Sequence, residues 1–93
     1  MDILQEQIGN KGAFYISING SRKAEMTYVM SGADKMIIDH TEVSSDMEGK
    51  GIGKQLLDRA VGFARENKIK ILPLCSFAKS MFEKTSNYND VLF

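Results

Sequence analysis

The chain has 93 residues, 43% of them hydrophobic and 26% charged, a balance that supports one folded unit with a modest core and excludes a disordered chain. Twelve basic residues offset twelve acidic ones. Nucleic acid and anionic membrane are therefore not expected as partners, because no net charge draws the chain to either.

The segment Ile3 to Ile8 reads as a short opening strand before a turn at Gly9 to Gly12. In "AFYISIN", residues 13–19, Phe14, Ile16 and Ile18 alternate with Tyr15 and Ser17, the period of a half-buried strand. Asn19-Gly20 follows, and both central residues of a type I′ hairpin turn need positive φ, which these two types tolerate best. A second strand of the hairpin returns through Ala24 to Met30, and "SGAD" turns the chain into a third from Lys35 to Val43.

From Lys50 to Asn67 the period becomes helical. Ile52, Leu56, Ala60 and Phe63 form one stripe, widened by Leu57, Val61 and Ala64, of the kind that covers a sheet. "IKILPLC" reads as a buried strand in which Pro73 marks a bulge or a break in pairing. "SFAKSMFEK" follows as a short helix, with Phe77 and Met81, and Ala78 and Phe82, paired at i,i+4. The tail "TSNYNDVLF" has no clear period. The order predicts a mixed α/β, or α+β, layer: an antiparallel meander, a helix, a strand and a short helix, all in one domain over 1–93. Met26, Met30, Met36, Met47 and Met81 are expected to fill gaps in its core.

"EGKGIGK" places Gly49, Gly51 and Gly53 between lysines 50 and 54 at the start of the long helix. A helix N-terminus offers unpaired N–H groups and the positive end of its dipole, and glycines let a phosphate come close. Two better-known phosphate loops do not fit. A Walker A loop would need glycine at Glu48 and a hydroxyl at Gln55, and the dinucleotide fingerprint would need its third glycine one place later. A tight packing loop is the alternative reading, but three alternate glycines flanked by lysines favour phosphate.

"HTEVSSDMEGKGIGKQLLDRAVGFA" resembles the acetyl-coenzyme A motif of the GNAT acetyltransferase superfamily, Gln/Arg-x-x-Gly-x-Gly/Ala, which here falls on Glu48 to Gly53. Both motif glycines match, at Gly51 and Gly53, while Glu48 replaces the usual Gln or Arg. Taken with "DHTEV", "LPLCSFAKSMFEK" and "NY", the chain resembles a minimal, single-cysteine GNAT-like subfamily over roughly 13–90. The resemblance implies a trimmed GNAT fold binding acetyl-coenzyme A between the strand 35–43 and the strand ending at Cys75. It implies cofactor contacts from Val43, Glu48, Gly49, Lys50, Gly51, Ile52, Gly53 and Lys54, and from Asn87 and Tyr88, which could equally dock the tail.

The resemblance also points to Cys75 as the reactive group facing the thioester. A thiol where a strand meets a helix start is favoured as thiolate, although a core cysteine is the alternative. His40 is the only histidine. Period two puts it on one strand face with Met36, Ile38 and Glu42, where it could deprotonate an acceptor or activate the cysteine. Glu42 is a weaker catalytic candidate, and Asp39 and Thr41 are expected to point away as structural residues. One histidine and one cysteine offer no metal-ligand spacing. A lone cysteine rules out an internal disulfide and fits a reducing cytoplasm, and "MDILQEQIGN" has no signal-peptide character.

Taken together, these features point to a small acetyltransferase moving an acetyl group to an amine or thiol, with Cys75 as a possible carrier. The alternative is a non-catalytic acyl-coenzyme A binding or sensing module.

Overall fold

Asn19 and Gly20 adopt φ of 53° and 80°, the paired left-handed conformation of the hairpin turn their sequence predicts. They join β2 (Lys11–Ile18) to β3 (Ser21–Met30) in a computed structural model that describes residues 2–93. Met1, the first residue of the predicted 1–93 unit, lies outside the described residues. Ahead of the hairpin runs β1 (Leu4–Ile8), and after it β4 (Lys35–Val43). A single turn of 3-10 helix at Ser45–Met47 then leads through the glycine loop into α1 (Ile52–Asn67). The chain continues as β5 (Lys70–Pro73), α2 (Ser76–Lys84) and a 3-10 segment, Ser86–Val91.

The five strands form one sheet in chain order, antiparallel from β1 to β4, with β5 parallel to β4. A parallel neighbour requires a crossover, and α1 supplies it. Its predicted stripe is buried as read: Ile52, Leu56, Leu57, Ala60, Val61 and Ala64 pack on Phe14, Ile16, Met26, Tyr28, Met36 and Ile38 of the sheet. Phe63 sits at the margin, its ring edge-on to Phe14 at 5.8 Å between centroids. Leu56 has no solvent exposure, and Leu56→Ala would cost about 2–5 kcal/mol. Met26, Met36 and Met47 are buried, and Met30 and Met81 pack against the same core.

Pro73 closes β5 without disturbing it. The N–H groups of Lys70 and Leu74 donate to Asp34 and Ile38 on the β4 side, at 2.8 and 2.9 Å. The alternate residues, Ile71 and Pro73, therefore face the outer edge, where Phe93 N–H meets the Ile71 carbonyl. The N–H that proline lacks is one the ladder does not use.

One irregularity decides the site. Tyr28 pairs with Ile38, but the preceding Thr27 pairs with His40, so Asp39 is an extra residue in β4. Its carboxylate accepts a hydrogen bond from the Thr27 hydroxyl at 2.7 Å. A bulge of one residue reverses the facing of everything beyond it. The expectation that His40 and Glu42 share a face with Met36 and Ile38 is therefore corrected: both lie on the sheet face away from α1. Thr41, expected to point away from that set, takes the helix side instead, and Val43, paired with buried Ala24, lies on the same side.

Candidate functional site

Pairing between β4 and β5 stops at Ile38 and Pro73. The Ile38 carbonyl accepts from both Leu74 and Cys75 N–H, at 2.9 and 3.1 Å, and the chains then part. Beyond this point the free edge of β4 offers main-chain groups to whatever enters the gap.

The glycine loop stands at the other end of that opening. Gly51 caps α1 with φ 71°, and Gly49 has φ 78°, conformations that side chains rarely adopt. A Cβ placed on either would meet nothing within 4 Å, so the loop's backbone is open to approach. No side chain caps the helix, and its first ladder bond runs from Gln55 N–H to the Gly51 carbonyl. The N–H groups of Ile52, Gly53 and Lys54 therefore have no helical partner. No acidic side chain occupies the first turn to compete for them. The preceding 3-10 turn is anchored by buried Met47 and by Asp46, whose carboxyl is held below the usual range by the Ser44 hydroxyl and then by Lys23.

Between loop and gap lies an open cleft of about 310 Å³. Val43, Glu48, Gly49, Gly51, Ile52, Gly53 and Lys54 line it, and so do Thr41, Met47 and Phe77. Lys50 is exposed and does not line it. Lys54 is tethered to Asp58 at 3.0 Å. Gly53 differs from its two neighbours: a Cβ there would come within 2.8 Å of the Phe77 ring.

Cys75 is half-buried at the N-cap of α2. Its Sγ accepts from Ala78 N–H at 3.4 Å and lies 3.3 Å from Thr41 Oγ1. It does not itself line the cleft but touches Thr41, which does. His40 Nε2 lies 3.4 Å from Glu42 Oε2 on the opposite, open face of the sheet. Because Thr41 reaches Cys75, the adjacent His40 points the other way, and it cannot activate the thiol directly.

Asn87 and Tyr88 do not line the cleft either. Tyr88 is buried against Phe82, its hydroxyl donates to Asp58, and its pKa is pushed up to about 12 by burial and then by that carboxylate. Arg65 donates to the Asn87 carbonyl and pairs with Asp90 at 2.8 Å. These contacts dock the tail on α1. Thr41 and Phe77 were missed as site residues in the sequence, the first because the bulge is invisible there, the second because its i,i+4 spacing with Met81 reads as core. Among the described residues, no cluster of His, Cys, Asp and Glu could hold a metal ion, and no helix is long and apolar enough to cross a membrane.

This arrangement has relatives. The family model described as GCN5-related N-acetyl-transferase matches residues 13–91. The solution structure of a GCN5-like protein from Staphylococcus aureus is 42% identical over 99% of this chain and 87% of that one, with a TM-score of 0.72. The ribosomal-protein-S18-alanine N-acetyltransferase of Escherichia coli superposes with a TM-score of 0.67 at 17% identity, over 83% of this chain and 52% of that one. A GNAT family acetyltransferase from Elizabethkingia anophelis with acetyl-CoA bound gives 0.62 at 15%, over 81% and 52%. The last two show the fold alone, and this chain spans about half their length. None of the curated proteins compared matches. The matched family model and the Staphylococcus aureus relative place the chain in the GCN5-related N-acetyltransferase family, as a small acetyltransferase of that fold.

Proposed function

We propose that residues 1–93 act as one unit that binds acetyl-coenzyme A in the cleft and passes its acetyl group to an amine. The single observation that carries the reading is the parting of β4 from β5 at Ile38, with an open amide loop at one end and Cys75 at the other. The amides of Ile52, Gly53 and Lys54 suit the pyrophosphate, aided by the helix dipole and the Lys54 charge. Glu48 on the rim opposes phosphate, but the amides remain available. The free edge of β4 at Thr41 and Val43 suits the amide-bearing arm of the cofactor.

When bound, acetyl-coenzyme A supplies an activated acyl group. His40, backed by Glu42, stands on the far side of the gap and is suited to take a proton from an acceptor amine entering from the open sheet face. With the donor bound, the amine nitrogen would bond to the acyl carbon as the carbon–sulfur bond breaks, and the proton that His40 takes from the amine would be returned, through solvent, to the departing thiolate. Cys75, reached through Thr41, is the group able to carry the acetyl in a two-step route: its thiolate displaces coenzyme A, and the amine then displaces Cys75. Mass spectrometry of the protein incubated with acetyl-coenzyme A, with and without Cys75→Ser, tests both routes. A Cys75-dependent gain of one acetyl group supports the carrier, and transfer to an added amine that survives Cys75→Ser supports the direct route. Binding of coenzyme A without either reaction would leave an acyl-coenzyme A binding module.

A further inference from the structure

Gly53 occupies the second position of α1, and it is not among the residues with positive φ. Alanine would suit a helix there better by about 1 kcal/mol, so backbone freedom does not account for the glycine. What accounts for it is Phe77. A Cβ at position 53 would lie 2.8, 3.1 and 3.3 Å from Cζ, Cε2 and Cε1, so the tip of the ring is lodged in the notch that the missing side chain leaves. Carbon atoms in contact settle near 3.5–4.0 Å, and the ring would have to move.

The direction of that movement matters. Phe77 is half-buried, packs on the core and lines the cleft together with Thr41 and Ile52. Core packing closes the ring's retreat on one side, and the cleft is the open side. Phe77 also follows Cys75, the N-cap of α2, by two residues. The notch therefore sets how closely the start of α2, with its thiol, approaches the amides at the start of α1.

We infer that Phe77, seated on Gly53, is the positioning residue that fixes the width of the cofactor cleft, and that Gly53 is required for the ring rather than for the phosphate. This rests on the cleft being the coenzyme A site. The test is a double-mutant cycle in which coenzyme A affinity is measured by calorimetry for the wild type, Gly53→Ala, Phe77→Leu and the double variant, alongside thermal unfolding. Phe77→Leu keeps an apolar wall and removes the ring tip. Gly53→Ala alone should weaken binding tenfold or more. In the Phe77→Leu background the same change should weaken it less than threefold. Equal losses in both backgrounds would overturn the inference and leave Gly53 as a phosphate glycine. If Gly53→Ala does not fold, the double variant decides: folding and binding restored by the shorter side chain support the notch, and continued unfolding overturns it. A wild type without affinity for coenzyme A would overturn the cleft reading and this inference with it, whereas binding with additive losses overturns the inference alone.

Discussion

Thr41 Oγ1 lies 3.3 Å from Cys75 Sγ, joining a strand residue to the cap of α2 across the gap where β4 and β5 part. With Ala78 N–H on the same sulfur, two polar groups hold it in one orientation, and a nucleophile held in place reacts faster than one free to turn away. Thr41→Val should therefore slow alkylation of Cys75 by iodoacetamide severalfold, and Thr41→Ser should restore it. Loss of one partly exposed hydrogen bond should cost about 1 kcal/mol of stability at most. An unchanged alkylation rate in Thr41→Val would show that the contact does not tune the thiol.

That contact was unreadable in the sequence for a definite reason. The hairpin turn at Asn19-Gly20, the stripe on α1 and the short helix after Cys75 each follow from local chemistry, and each forms as its residues predict. The facing of β4 does not, because period two holds only while the ladder is unbroken. Nothing in "IIDHTEV" announces that Asp39 is an extra residue, since the bulge depends on its partner Thr27, twelve positions away. The glycine loop was legible as a loop, but its three glycines do not share one cause. Gly49 and Gly51 answer to backbone conformation, whereas Gly53 answers to a ring on another helix. Local patterns report local causes, and the site depends on two long-range ones.

At Gly51, conformation and access can be separated. Asparagine tolerates positive φ better than other side chains, so Gly51→Asn should keep the turn at φ 71° while placing a side chain where nothing stands within 4 Å. The unfolding midpoint should fall by a few degrees at most, and coenzyme A affinity should fall at least tenfold. Gly51→Val adds β-branched strain of about 1–2 kcal/mol and should weaken binding as much. A folded variant with unchanged affinity, read by titration calorimetry, would remove the loop from the binding site.

Tyr88 carries a pH signature. Its pKa is raised from 10 to about 12 by burial first and by Asp58 second, so the folded state holds the phenol proton more tightly than the unfolded chain. The stability this confers is fully present below pH 10 and is lost as pH rises through 10 to 12. Tyr88→Phe should cost about 1–2 kcal/mol at neutral pH through the lost bond to a carboxylate. It should also flatten the fall in stability over that window relative to the wild type. Because Tyr88 docks the tail rather than lining the cleft, coenzyme A affinity should change less than threefold. Denaturant titrations at several pH values check the first two outcomes and calorimetry the third.

His40 gives the sharpest separation of binding from chemistry. Its imidazole is 57% exposed and lies on the sheet face opposite the cleft, so removing it disturbs neither the core nor the loop amides. His40→Ala should therefore leave the unfolding midpoint and coenzyme A affinity almost unchanged. If His40 takes the acceptor's proton, the rate of acetyl transfer to an added amine should fall about 100-fold, the lower end of what a positioned base contributes. The loss should shrink at alkaline pH, where more of the amine is already deprotonated. Glu42→Gln, which keeps the shape but removes the charge 3.4 Å from the imidazole, should cost only severalfold because the pair is exposed and screened. Steady-state rates between pH 7 and 10 for both variants decide the matter. A His40→Ala enzyme with wild-type rates across that range would mean that the acceptor does not approach from the open face.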